Sequence, residues 1–282
     1  MFLLPLLCTS CFSPEAEIND GSGVSDPSAV PVTFSIGSVE LIPFDGLNTR
    51  SLSTLCSRMT LAVFKDGEKV KNINQLADSP TFGTFNISLS PGTYEAVLIA
   101  HNGLGNCSIS STEKITFASN KCTDTFYHYG TFTVSDASTQ TIDLHRAVAM
   151  FRLNTTDVIP AEVSKMQFYY TGGSSTFNAV TGLGSVNSRQ TETFSVSSMI
   201  GQTGQFDVYT FPHETSDVLK MTISAYNSSD DVIAERVYES LPVTINKITQ
   251  STIEFFGEGG SAQGGFTINI PDEGEWSEII DI

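Results

Sequence analysis

Met59-Thr60-Leu61-Ala62-Val63-Phe64 places apolar side chains on both faces of an extended chain, the pattern of a strand held between two layers. Lys65-Asp66-Gly67 ends that strand in an Asp-Gly turn. Outward from it, period-2 alternation of β-branched and aromatic residues predicts further strands over 32–36, 39–44, 82–89 and 94–101. Beyond Asp124 it does so over 126–134, 141–154, 163–171, 191–196, 205–211, 219–226, 232–238, 244–256 and 265–270. Ser90-Pro91-Gly92-Thr93 is a hairpin or a sandwich corner, with Pro presetting φ at the second position and Gly taking the positive φ at the third. Apolar residues at helical spacing are absent, apart from one or two helical turns expected over 73–78. Many short strands in 282 residues, a length for about two domains of roughly 150, predict an all-β chain of two tandem β-sandwiches. The boundary is expected near Asp143, giving an N-terminal sandwich over 32–143 and a C-terminal one over 144–282. The Gly-rich run 257–265 leads into a final strand and an acidic tail.

Fourteen Lys and Arg against 31 Asp and Glu leave a net charge of −17. Such a chain is repelled by nucleic-acid phosphates and anionic membrane surfaces, so nucleic acid is excluded as a partner. The charge is uneven: every base lies between Arg50 and Lys247, and ten of the 17 surplus negative charges sit in residues 12–31 and 257–282. The low pI belongs to solvated ends more than to an anionic binding face.

No constellation announces catalysis. His101, His128, His145 and His213 are scattered without ligand spacing, and neither H-E-x-x-H nor a paired C-x-x-C occurs, so no metal or other cofactor is expected. Asp230-Asp231 reads as a hairpin loop rather than a calcium loop. No G-x-S-x-G elbow or phosphate-cradling glycine loop appears; Gly172-Gly173 and Gly182-Leu183-Gly184 read as loop glycines. The aromatics fall mostly on alternating strand positions, as core residues do, and the only tryptophan, Trp276, lies in the acidic tail. Cys107 and Cys122 flank a Ser/Thr/Lys segment and could close a loop of about 15 residues, worth roughly 3 kcal/mol in the chain-entropy model. The alternatives are that Cys56, Cys107 and Cys122 are all small core hydrophobes, or that Cys107 is a reactive thiol.

The N-terminus reads as an address. Met1 to Leu7 is apolar but too short to span a bilayer, which takes about 20 residues. Cys8-Thr9-Ser10-Cys11 follows it, and then the chain turns abruptly polar. This resembles the lipobox of bacterial lipoproteins, with Cys11 as the acylated residue; the alternative is an ordinary buried cysteine. The stretch before it lacks Lys and Arg, and a start codon placed upstream would account for that. Residues 1–10 are then a signal-peptide remnant and 11–31 an acidic tether, whose Phe12-Ser13-Pro14-Glu15-Ala16-Glu17 resembles the signal that sends Bacteroidetes lipoproteins to the outer face of the outer membrane.

Three stretches resemble the FimB-type fimbrial anchor family and its relatives, the fimbrillins of Bacteroidetes type V pili. They are Cys56 to Gly67, Phe85-Asn86-Ile87-Ser88-Leu89-Ser90-Pro91-Gly92-Thr93-Tyr94 with its L-x-P-G-x-Y corner, and Leu144-His145-Arg146-Ala147-Val148-Ala149-Met150-Phe151-Arg152-Leu153 followed by Ile159-Pro160. The resemblance implies two tandem β-sandwich domains of the transthyretin-like or fimbrillin-like kind on a lipid anchor, with other fimbrial subunits as partners. It also implies assembly by donor-strand exchange, in which a strand of one subunit completes the sheet of the next. Stalk subunits of this kind are cut after an arginine that follows the first strands, whereas anchors keep the lipid and the N-terminal strand. Arg50, in a polar loop after two expected strands, is the candidate processing site; its alternative is a plain surface arginine. The expected role is a non-catalytic fimbrial anchor or accessory subunit at the outer membrane surface. The alternative is a surface glycan-binding lipoprotein of a nutrient-uptake system.

Overall fold

A computed structural model of the chain describes residues 26–39, 52–257 and 279–281. All but the first residue of the strand expected over 39–44, the strand expected over 265–270, and Trp276 lie outside these residues. The first part of the chain forms β1 (Val30–Val39), β2 (Arg58–Lys65), β3 (Glu68–Leu76), β4 (Thr84–Leu89), β5 (Gly92–His101), β6 (Ser108–Ser111), β7 (Lys114–Thr116), β8 (Thr125–Val134) and β9 (Ser138–Arg146), with a helical turn at Leu52–Leu55 and a 3-10 turn at Ala118–Asn120. Seven strands run in the order β3-β2-β5-β8-β9-β1-β4. Strand β9 is the seam: it pairs with β1 along most of its length and reaches β8 only through His145 and Arg146. The two halves of this sheet therefore face each other as layers. Val32, Phe34, Phe85 and Ile142 from one half and Met59, Leu61, Leu98 and Phe126 from the other enclose a single core.

The second part forms β10 (Ala149–Thr155), β11 (Lys165–Gly173), β12 (Thr176–Asn178), β13 (Leu183–Gly184), β14 (Ser188–Ser195), β15 (Gln205–Thr210), β16 (Ser216–Tyr226), β17 (Val232–Thr244), β18 (Ile248–Ile253) and β19 (Ile279–Asp281). Sheets β14-β11-β16-β17 and β15-β10-β18-β19 sandwich a core that includes Phe151, Leu153, Phe168, Phe206 and Met221. The chain is thus all-β, in two tandem sandwiches.

The two sandwiches are fused rather than merely linked. Strands β13-β12 of the second pair with β7-β6 of the first in one four-stranded sheet, with Phe177 opposite Ile115. Beneath it, Ala62, Phe64, Val97 and Ile99 from the outer faces of β2 and β5 pack with Met150, Phe177 and Phe211. Met59, Leu61 and Val63 face the first core and Ala62 and Phe64 face this one, so β2 lies between two layers as its sequence predicts. Asp66 (φ 52°) and Gly67 (φ 82°) both take left-handed backbone in the two-residue hairpin turn to β3. Ser90-Pro91-Gly92-Thr93 is a sandwich corner, carrying the chain from β4 in one layer to β5 in the other, with the Tyr94 hydroxyl donating to the Ser90 carbonyl at 2.8 Å. Asp230-Asp231 sits in the β16–β17 hairpin turn, where the Asn227 side chain accepts the backbone N–H groups of Ser229 and Asp231.

Three expectations are corrected. The helical turns expected over 73–78 are instead the end of β3, which hydrogen-bonds along β2 as an edge strand. The single strand expected over 141–154 is two, β9 and β10, broken at Ala147-Val148. There the backbone N–H of Ala147 donates to Thr125 and the carbonyl of Val148 accepts from Asn246, turning the chain out of one sandwich and into the next. Leu144 still pairs with Val39 and fills the first core, and the chain leaves this sandwich after Arg146, close to Asp143. Finally, Gly172-Gly173 closes β11 and Leu183-Gly184 is β13, so these glycines belong to strands.

Candidate functional site

Two places in the fold stand out: the slot that holds the first strand and the junction between the sandwiches. In the slot, β1 pairs antiparallel with β4 (Phe34 opposite Phe85) and parallel with β9 (Phe34 opposite Gln140). Val32 and Phe34 point inward and are 0% and 1% exposed, while Phe132 packs edge-on to Phe34 and stacks on Tyr94. The chain is pinned just ahead of β1. The Asp26 carboxylate accepts the Ser28 hydroxyl at 2.6 Å, the Ser28 backbone N–H at 2.9 Å and the Ser90 hydroxyl of the sandwich corner. Those bonds, led by the Ser28 hydroxyl and then Ser90, hold the Asp26 carboxyl down to about 2. Cys11 and Arg50 lie outside the described residues. In the chain Arg50 falls between β1 and the turn at Leu52–Leu55, so a cut there would leave β1 held by non-covalent contacts alone.

At the junction, Arg146 is the largest fully buried side chain among the described residues. Its guanidinium binds the Asp124 carboxylate through two bonds of 2.9 and 3.1 Å and donates to the Asn246 side chain at 2.9 Å, lying 4.7 Å from the centre of the Phe126 ring. Asp124 precedes β8 in the first sandwich, whereas Asn246 sits in the turn between β17 and β18 of the second, so one cation ties both. The planar fork of Arg suits this bidentate geometry, and Lys would not reproduce it. A cleft of about 440 Å³ opens beside the group, lined by Tyr127, His145 and Leu183 among others. Further along the same segment Arg152 makes a second bidentate pair, with Asp207 at 2.7 and 2.8 Å. The sequence reading singled out this segment but missed its arginines; two cations in an otherwise apolar run were the available signal.

A model of the Fimbrillin-A associated anchor proteins Mfa1 and Mfa2 matches residues 23–278. The chain belongs to this family. It is accordingly one of a family of fimbrial anchor proteins, associated with fimbrial subunits at the cell surface. Among solved structures it is similar to a proposed adhesin from Bacteroides ovatus, at 13% identity and a TM-score of 0.48, covering 77% of this chain and 82% of that one. It is also similar to the fimbrial anchor protein Mfa2 of Porphyromonas gingivalis, at 11% identity and 0.44, covering 74% and 82%. A proposed polysaccharide-binding protein from Bacteroides thetaiotaomicron is similar at 10% identity and 0.47, covering 73% and 79%. No curated protein matches the chain.

In this anchor-family chain the remaining candidate groups include three buried cysteines and the buried His101. Cys107 and Cys122, expected as a bridge, are separate free thiols, as is Cys56. Cys107 and Cys122 both line the core between the sandwiches, with the Cys122 thiol donating to the Ser174 carbonyl at 3.4 Å. Burial pushes Cys107 up to about 11 and Cys56 and Cys122 up to about 12, so the structure fits small core hydrophobes and not a reactive thiol. Among the described residues no three His, Cys, Asp or Glu side chains gather as metal ligands.

His101 is fully buried, edge-on to Phe117; its Nδ1 accepts the Gly103 N–H at 2.9 Å and its Nε2 has no partner. Burial, and then the charge of Arg58, holds its pKa down from 6.5 to about 4. The unfolded chain therefore takes up this proton first as pH falls. Stability should drop between about pH 6.5 and pH 4, by up to about 3 kcal/mol from this residue, and level off below. Urea titrations of the wild type and His101→Asn across that range test it: the variant should lose this part of the slope, and identical slopes would show that His101 contributes none.

Proposed function

We propose that the chain is a non-catalytic fimbrial anchor or accessory subunit, fixed in the outer membrane by a lipid on Cys11 and joined to fimbrillins by strand exchange. The observation that carries this reading is the family match, which begins ahead of β1 and runs to residue 278. The geometry supports it in two ways. Strand β1 is a structural member of the first sandwich, which suits an anchor that retains its N-terminal strand. At the other end, β19 lies parallel along β18, with Ile279 opposite Ile248, so this sheet edge accepts an added strand through main-chain bonds. The same bonds would serve a strand from another subunit. A non-catalytic role is supported by the direction of the perturbed groups: buried thiols pushed up and buried His101 pushed down are both inert near neutral pH.

An acyl chain contributes about 0.8 kcal/mol per buried CH₂, so the two or three chains of a bacterial lipoprotein hold almost irreversibly. Cys11→Ala should therefore move the protein from the membrane fraction to the soluble one, and retention of the variant in the membrane would refute the anchor at Cys11. Deleting the gene should leave pili that detach or grow to uncontrolled length. Unaltered pili together with tight oligosaccharide binding would favour a glycan-binding lipoprotein instead.

A further inference from the structure

Strand β1 enters the first sandwich at Val30, where the chain is pinned through Asp26 to Ser90, and runs parallel to β9 with Val32 opposite Ser138 and Val39 opposite Leu144. The chain leaves that sandwich at the other end of the same pair, passing from Arg146 at the end of β9 through Ala147-Val148 into β10. Entry and exit thus lie at opposite ends of one parallel ladder. The second sandwich is held to the first by the Arg146 group, the β7–β12 pairing and the shared core, so a pull on it is delivered to the unit that contains β9.

From this register we infer that the β1–β9 pair is a shear clamp: the element through which tension between the N-terminal tether and the second sandwich passes. It rests on the anchor reading for the source of that tension. Inter-strand hydrogen bonds lie across the strand direction. A pull drawing Val30 out along the axis while β9 is held at Arg146 strains all the bonds of β1 together, those to β4 included. The same bonds pulled apart at Val30 and Ser138, the adjacent ends of the two strands, would open one after another. Buried Val32 and Phe34 add to the barrier, since sliding β1 drags both through the core. The parallel β9 is what makes the difference: antiparallel to β1, it would send the chain into the second sandwich at the entry end and convert shear into peeling.

Forced unfolding reads the barrier rather than the equilibrium stability, and it can be measured by pulling single molecules of the full Cys11→Ala chain from a handle at its N-terminus. In one version the second handle is a ligation tag in the Asn227–Asp231 turn at the far end of the second sandwich. In the other it follows exposed Asp136, between β8 and β9; a tag after Ala137 serves if that insertion disturbs the fold. The account expects the step that releases β1 to need several-fold more force with the first attachment than with the second. Equal forces would overturn the clamp. Because both pulls use purified protein, they leave the anchor reading itself to cell fractionation, and failure of either can be told from failure of the other.

Discussion

Arg146→Ala is expected to destabilise the chain by about 3–5 kcal/mol, the cost of removing one partner from a buried ion pair and leaving the other uncompensated. The Asp124 carboxylate would keep its place in the junction with its two charge-assisted bonds gone, and the Asn246 side chain would lose the bond from the guanidinium. Packing is lost too, since the guanidinium lies over the Phe126 ring. Lys220→Ala is the comparison: its pair with Glu239 is more than half exposed on both sides, and its loss should cost under about 1 kcal/mol. Denaturant titration followed by circular dichroism separates the two. Because Arg146 joins groups from both sandwiches, its variant should also split one cooperative transition into two. A cost below about 1 kcal/mol, with a single transition retained, would show that the shared sheet and core hold the junction without it.

The second large effect belongs to the β1 slot. Phe34→Ala should cost about 3–5 kcal/mol, because the side chain is buried between layers and its removal leaves a cavity beside Phe85 and Phe132. Loss of the whole strand should be worse. It uncovers Phe85, Ile87 and Ile142 and strips β4 and β9 of a partner, against a typical domain stability of about 5–15 kcal/mol. A chain starting at Ser51 should therefore leave the first sandwich unfolded in isolation, and an added peptide of residues 26–39 should restore it. If the truncated chain is as stable as the whole, β1 is dispensable and the slot account fails.

Much of the fold was legible because burial writes a period into strands. Strand β2 declared its two buried faces, and β4, β5, β8, β11 and β16 lie close to where alternation placed them. Strand β3 was illegible for a physical reason. It is an edge strand with Lys69, Lys71, Asn72 and Asn74 turned to solvent and a register shift near its start, so only Val70, Ile73 and Gln75 report its inner face. The shared sheet left no local trace at all. Strands β7 and β12 are three residues each, too short for a period, and they pair across some sixty residues of chain. The break at Ala147-Val148 was hidden because both residues are buried and apolar, and only the placement of Arg146 shows why the chain turns there. Of the candidate sites, the cysteines could not be assigned from sequence, since a buried thiol and a buried disulfide look alike there; in the fold all three are buried in the cores. The Arg146 group was beyond reach because Asp124 and Asn246 meet it only through the tertiary fold.

On the proposed reading this anchor-family chain keeps its N-terminal strand and carries a lipid on Cys11. Mass spectrometry of the N-terminal peptide of the protein isolated from cells tests this most directly. The account predicts a peptide beginning at an acylated Cys11 and continuing through β1 and Arg50 without a cut. A mature chain beginning at Ser51 would contradict it and place the protein among subunits that give up β1 for a strand from a neighbour.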